Sequence, residues 1–242
     1  MEKNKFFSAK NVTGIAIFLA LVIVLQLFGS YFKIGATSFN FVLVPIVLGG
    51  VIYGCGVGAF LGFCSGLIIL LQGVFGVDGF TLILFEDHPV ITTLVCLVKG
   101  VAAGYLSALV YKLLQKKNAY LGVFLAGATA PIVNTGLFIF GALFMSDTLN
   151  ANFVADGETV LYFLIIGCAG VNFLVELAIN LIASPSVYKI LRVIKKDKFA
   201  VVEDVTIDET AGAGMELTEI PTVETDVETV TKTDEVANKT ED

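Results

Sequence analysis

Six apolar stretches, most of them long enough to cross a lipid bilayer as helices, constrain this chain more than any other feature. A hydrocarbon core of roughly 30 Å takes about 20 helical residues. Stretches of that order run over 12–32, 39–54, 57–75, 90–114, 120–146 and 159–184 of the 242 residues. With 56% hydrophobic residues and a mean hydropathy of +0.87, the chain carries more apolar surface than a soluble core absorbs. The expected fold is therefore an all-α integral membrane protein, a six-transmembrane-helix bundle. The second stretch is short and interrupted by Pro45 and Gly49-Gly50. It predicts a kinked or tilted helix whose freed backbone groups are satisfied by neighbouring helices. The basic N-terminus leads into the first stretch without a small-x-small cleavage site, so that helix is expected to be retained.

Charge sets the orientation. Lysines and arginines gather at the N-terminus (Lys3, Lys5, Lys10), after the fourth stretch (Lys112, Lys116, Lys117) and after the sixth (Lys189, Arg192, Lys195, Lys196, Lys198). The opposite loops hold Lys33 against Asp78, Glu86, Asp87, Asp147, Asp156 and Glu158. The positive-inside rule then puts both termini in the cytoplasm of a plasma-membrane protein. Residues 199–242 hold 13 acids against two lysines, −11 of a total −7, so the first 198 residues sum to +4. Rich in Thr, Val, Glu and Asp, and without an aromatic after Phe199, this segment predicts a disordered acidic cytoplasmic tail. The expected division is a six-helix membrane domain over 1–198 and the tail over 199–242.

Small residues recur at helical spacing. Gly50, Gly54, Gly58, Gly62 and Gly66 repeat every fourth residue, as do Gly100 and Gly104. In lipid there is little hydrophobic drive between helices, so glycine grooves that admit a second backbone supply the packing. Ala16 and Ala20 form a similar pair in the first stretch. Cys55, Cys64, Cys96 and Cys168 show no CxxC spacing and no nearby histidine, and read as small buried hydrophobes.

Polar groups at membrane depth are few. Lys99, Asn134, Asn172, Glu176 and Asn180 fall inside the fourth to sixth stretches, with Gln26 in the first. A lysine at mid-helix costs about 2.5–3.5 kcal/mol on insertion scales, so such groups face a partner or a cavity. At about 1.5 Å per residue, Lys99, Asn134 and Asn172 all lie roughly 14–20 Å from the outer ends, with Glu176 about 10 Å further in than Lys99. Asn172, Glu176 and Asn180 are spaced i, i+4, i+8 and share one helix face. Two readings follow: the groups bond one another and hold the bundle together, with Lys99 paired to Glu176, or they line a ligand pocket in which Lys99 is counter-charge to an anionic solute. Loops over 34–40 and 73–89 could cover such a pocket. His88, the single histidine, reads as an exposed loop residue. The chain lacks a GxxxxGK[ST] phosphate loop and an HExxH motif, so it supplies no ATP motor of that kind. No catalytic residues, cofactor, metal or nucleic-acid partner are expected.

Taken together, the Ala16/Ala20 pair, the stretch VLVPIVLGGVIYG over 42–54, Lys99-Gly100, PIVNTG over 131–136 and NFLVE over 172–176 resemble the substrate-binding (S) component of energy-coupling-factor (ECF) vitamin transporters. The resemblance covers roughly residues 8–195. It implies a six-helix bundle that captures a vitamin or related small molecule near the outer face and works with a transmembrane scaffold (T) subunit and two cytoplasmic ATPases. It further implies that Ala16 and Ala20 contact the scaffold and that the outer parts of the fourth to sixth stretches, with Lys99, Asn134, Asn172 and Glu176, form the pocket. Lys99 argues for a carboxylate such as pantothenate; riboflavin would lean on aromatics and amides. The long acidic tail departs from the family's usual short C-terminus. The rival readings are a self-contained proton-coupled secondary carrier or channel using Glu176 and Lys99, and a membrane enzyme, for which no nucleophile and base fall within the stretches.

Overall fold

A computed structural model describes residues 9–29, 33–34, 37–38 and 41–210, with side chains over 11–29 and 41–194. The chain divides into two compact units, Met1–Lys196 and Asp197–Asp242. The first contains α1 (Ala9–Gly29), a two-residue antiparallel ladder of β1 (Lys33–Ile34) and β2 (Thr37–Ser38), α2 (Leu43–Tyr53), α3 (Cys55–Val74), α4 (Gly79–Asp87), α5 (Pro89–Leu114) and α6 (Ala119–Ala142). A 3-10 turn (Leu143–Met145) leads to α7 (Ser146–Asn152), and a short α8 (Val160–Tyr162) runs through a π-helix (Phe163–Gly170) into α9 (Val171–Thr210). Of the second unit, residues 197–210 are described and are helical.

Five helical segments are long and apolar enough to cross a membrane: Asn11–Gly29, Cys55–Val74, Pro89–Leu114, Ala119–Asn152 and Val160–Ile194. Each long helix turns large apolar side chains away from the bundle, among them Ile17, Phe60, Leu113, Ile132 and Ile182. Surface of that kind on every side belongs against lipid. The protein is an all-helical, multi-pass membrane protein apart from its two-residue ladder.

The second expected span differs. α2 has 11 residues, about 16 Å at 1.5 Å per residue, roughly half a bilayer core. Pro45 does not kink it: it stands in the first turn, where a missing N–H has no intrahelical acceptor to lose. The helix ends at Gly54, whose φ of +102° and ψ of 173° lie in a region open in practice only to glycine. The chain reverses there into α3.

The glycine repeat pairs α3 with α5 in antiparallel register. A methyl group at Gly58 would overlap the carbonyl oxygen of Gly104, one at Gly62 that of Gly100, and one at Gly66 that of Cys96. Gly50 of α2 closes on the same seam, where a Cβ would stand 2.9 Å from that of Ala108. Backbone meets backbone along this seam, which makes it the least yielding part of the bundle. The sequence expectation of intramolecular packing holds for this repeat.

Apolar packing collects in three clusters. One joins Val47, Val51, Tyr111, Val123, Ala126, Val187 and Leu191 near the α5–α6 turn. A second joins Val22, Leu43, Ile46, Leu61 and Ala103. The third lies at the opposite end, where Phe80, Leu84, Met145, Leu149 and Leu164 seat α4 and α7 as a cap. The cap is clasped by the Thr148 hydroxyl donating to Asp87 Oδ2 at 2.9 Å and by His88 Nε2 and Asp147 Oδ1 at 3.2 Å. His88 lies between α4 and α5, as a loop residue, and its ring meets Asp147 of α7.

Of the tail expected from residue 199, residues 199–210 are helical. Its remaining residues, 211–242, lie outside the described ones.

Candidate functional site

A polar cleft opens beneath the cap. α1 contributes Gln26; α3 Ile69 and Gln72; the α3–α4 turn and α4 Asp78, Phe80 and Thr81; α5 Lys99; α6 Asn134, Thr135 and Phe138; and the last membrane helix Cys168, Ala169, Asn172 and Glu176. The space these side chains leave for water amounts to about 70 Å³. At ~15 Å³ per water this is room for about five, so a larger ligand requires cleft side chains to change rotamer.

The four residues predicted from sequence converge here. Lys99, Asn134, Asn172 and Glu176 come from three helices and line one cleft. Their burial differs: Glu176 is 2% exposed, Asn134 8% and Lys99 9%, while Asn172 is half-buried. The Lys99–Glu176 ion pair of the bundle-glue reading is not formed, since the described residues give the Lys99 ammonium no carboxylate within 4 Å. Its Nζ instead stands over the Phe138 ring, 5.1 Å from the centroid, within the range of a cation–π contact. Asn134 hydrogen-bonds no other described residue through its amide. The Asn134 amide is not among the desolvated polar atoms that lack a partner; it faces the open space of the cleft, where a ligand or water meets it.

The descending stripe on the last helix splits in two. Asn172 and Glu176 face the cleft. Asn180 turns back and donates to the Glu176 carbonyl at 2.8 Å, and the Ser184 hydroxyl donates to the Asn180 carbonyl at 2.8 Å. Below Glu176 the polar groups satisfy their own helix. They also pack against Gly127 of α6, where a Cβ would stand 2.8 Å from Ser184 Oγ.

Sequence reasoning did not commit to Gln26, Gln72, Asp78, Phe80, Thr81 or Phe138. Gln26 accepts from the buried Ser65 hydroxyl at 3.0 Å, which ties α1 to α3 beside the cleft. Gln72, polar and buried near the end of α3, was the legible signal that went unread. Asp78 caps α4 by accepting from Thr81 N at 3.2 Å, so its place in the cleft follows from a loop turn rather than from any helical period. Phe80 and Phe138 are indistinguishable in sequence from the chain's many lipid-facing aromatics.

The π-helix was not foreseen either. Its amides bond five residues back, which spends an extra residue per turn. The consequence is local: Leu164, Cys168 and Ala169 are all buried, and the last two both reach the cleft. A Cβ at Gly170 would stand 2.8 Å from the Ile165 carbonyl oxygen, five residues back, so glycine at 170 matches this winding.

Chemically, the cleft offers one ammonium, four side-chain amides, two carboxylates and two aromatic rings. Among the described residues no three His, Cys, Asp or Glu side chains converge as a metal ion would need. The arrangement suits reversible capture of a small polar solute.

Comparison with known proteins agrees in kind. Residues 10–188 match the family described as ECF transporter, substrate-specific component. The pantothenic acid transporter PanT of Lactococcus lactis subsp. cremoris (strain MG1363) is 30% identical over 154 residues, covering 58% of this chain and 76% of that protein. With the family match spanning most of the membrane bundle and the whole of the cleft, this chain belongs to the substrate-specific components of ECF transporters.

Proposed function

We propose that this chain is the vitamin-capturing subunit of an ATP-driven importer and that its ligand is pantothenate. One observation carries the reading: Lys99 and Asn134, both buried, face one cleft with neither an ion pair nor an amide partner among the described residues. Pantothenate has a carboxylate, an amide and two hydroxyls. Lys99 takes the carboxylate, Asn134 and Asn172 exchange hydrogen bonds with the amide and hydroxyls, and Glu176 accepts from a hydroxyl at the inner end. The likeness to a pantothenic acid transporter supports this choice over riboflavin, which has no carboxylate for Lys99.

In the assembled importer, Ala16 and Ala20 meet a transmembrane scaffold subunit, and two cytoplasmic ATPases drive release. Both alanines lie exposed on α1, on the side away from Val22 and Gln26, which are buried. α1, α2, α3, α5, α6 and the last helix make up a six-helix membrane domain over 1–198. Both termini and the acidic extension over 199–242 are cytoplasmic. A self-contained proton-coupled carrier gains no support from the helix below Glu176, where Asn180 and Ser184 bond back onto their own backbone.

The test is binding to the detergent-purified chain, read by calorimetry or thermal stabilisation, since the chain has no Trp for intrinsic fluorescence. Pantothenate stabilises the wild type, riboflavin does not, and Lys99→Ala weakens pantothenate by about 10- to 100-fold, the worth of a charge-assisted contact of ~1.5–3 kcal/mol. Folded protein that binds no pantothenate overturns the substrate. Uptake in cells that stops on ATP depletion and survives collapse of the proton gradient separates the importer from the carrier.

A further inference from the structure

A lysine buried in a membrane bundle keeps its charge by facing a carboxylate, water or an aromatic face. Lys99 is 9% exposed and no carboxylate of the described residues lies within 4 Å of it. What it does face is Phe138, at 5.1 Å from Nζ to the ring centroid. We infer that Phe138 is the positioning residue of the cleft's cation: its ring holds the Lys99 ammonium in place without neutralising it. This rests on the reading of the cleft as an anion-accepting site.

The distinction has a consequence for binding. A lysine in an ion pair offers an incoming anion a charge already cancelled, and the carboxylate partner must be displaced or desolvated alongside the ligand. A ring quadrupole attracts the ammonium yet leaves its net charge and its N–H donors to the ligand. Asp78 and Glu176 line the same cleft, so where the Lys99 ammonium stands decides which part of the cleft receives an anion. Selectivity for an anion then depends on Lys99 being held in place.

The ring is itself held by the cap. Phe138 of α6 packs on Phe80 of α4 with centroids 6.1 Å apart, and Phe80 packs on Phe153 at 4.9 Å. A continuous chain runs from the cap through Phe80 and Phe138 to Lys99. The same cap helix that covers the cleft thereby sets the plane of the ring on which the ammonium rests.

The experiment compares two ligands and two backgrounds. The ligands are pantothenate and its alcohol analogue, in which a hydroxymethyl group replaces the carboxylate. Phe138→Leu weakens the acid by about 5- to 30-fold, the range of a desolvated cation–π contact, and the alcohol by less than about twofold; Phe138→Tyr, which keeps the π face, restores the acid. Equal losses for both ligands, or no loss for either, overturn the inference. A second arm needs no ligand: the melting temperatures of Phe138→Leu, Lys99→Met and the double variant form a cycle. The double variant melts about 2–4 °C above the value expected if the two losses simply added. Additive losses in that cycle overturn the positioning role even if the wild type binds neither compound, an outcome that by itself removes the pantothenate reading.

Discussion

Replacing Gly62 by Ala tests the seam on which the bundle rests. The added methyl meets the carbonyl carbon and oxygen of Gly100 and, at 3.2 Å, the amide nitrogen of Val101. All three are backbone atoms, so no side chain can swing away and α3 must move off α5. Alanine contributes up to about 1 kcal/mol of helix propensity, while overpacking costs about 1–3 kcal/mol. Separation also loosens the Gly58–Gly104 and Gly66–Cys96 approaches, which places the net loss at the upper end, ~1–2 kcal/mol, and at ~2–4 °C per kcal/mol the midpoint falls by about 2–8 °C. The control is Gly136→Ala: it sits inside α6, and a Cβ there meets nothing within 4 Å. That variant should melt with the wild type or slightly above it. Far-UV circular dichroism of the detergent-solubilised proteins on heating reads both. A Gly62→Ala variant that melts within about 2 °C of Gly136→Ala refutes the claim that backbone contact between α3 and α5 limits stability.

Three further outcomes follow from single residues. Gly54→Ala forces a Cβ onto φ +102° at the α2–α3 reversal and costs about 1–3 kcal/mol; a wild-type melting curve contradicts the strain argument. Asp78→Ala removes the side-chain acceptor for Thr81 N, an N-cap worth about 0.5–2 kcal/mol, and hydrogen exchange should quicken over α4; unchanged protection there contradicts the cap. Gly170→Ala sets a methyl 2.8 Å from the Ile165 carbonyl oxygen and should disturb the π winding, lowering pantothenate affinity about tenfold, or ~1.4 kcal/mol, in protein that still folds; retained affinity shows that the π segment does not position Cys168 and Ala169.

The membrane character, the packing role of the glycine repeat and the polar residues that reach the cleft were all legible because each depends on local composition or helical period. An apolar stretch of about 20 residues has one place to go in a cell. Gly58, Gly62 and Gly66 share a helix face whatever they pack against. Lys99, Asn134, Asn172 and Glu176 are costly in lipid, so their inward orientation was readable before their neighbours were known.

What tertiary structure alone decided is how those groups are partnered. Lys99 and Glu176 carry opposite charge, and sequence reasoning left their pairing open; the fold sets Lys99 over Phe138 instead, a choice made by two helices meeting at one level. Asn180 shares a period with Asn172 and Glu176 yet returns to its own backbone. Pro45 begins a helix rather than bending one because of where the preceding turn ends, and the π-helix that brings both Cys168 and Ala169 to the cleft depends on acceptors five residues back. Periodicity along one chain determines which side of a helix is polar. Which atom stands opposite that side is a property of the packed bundle, where the nearest neighbours are distant in sequence.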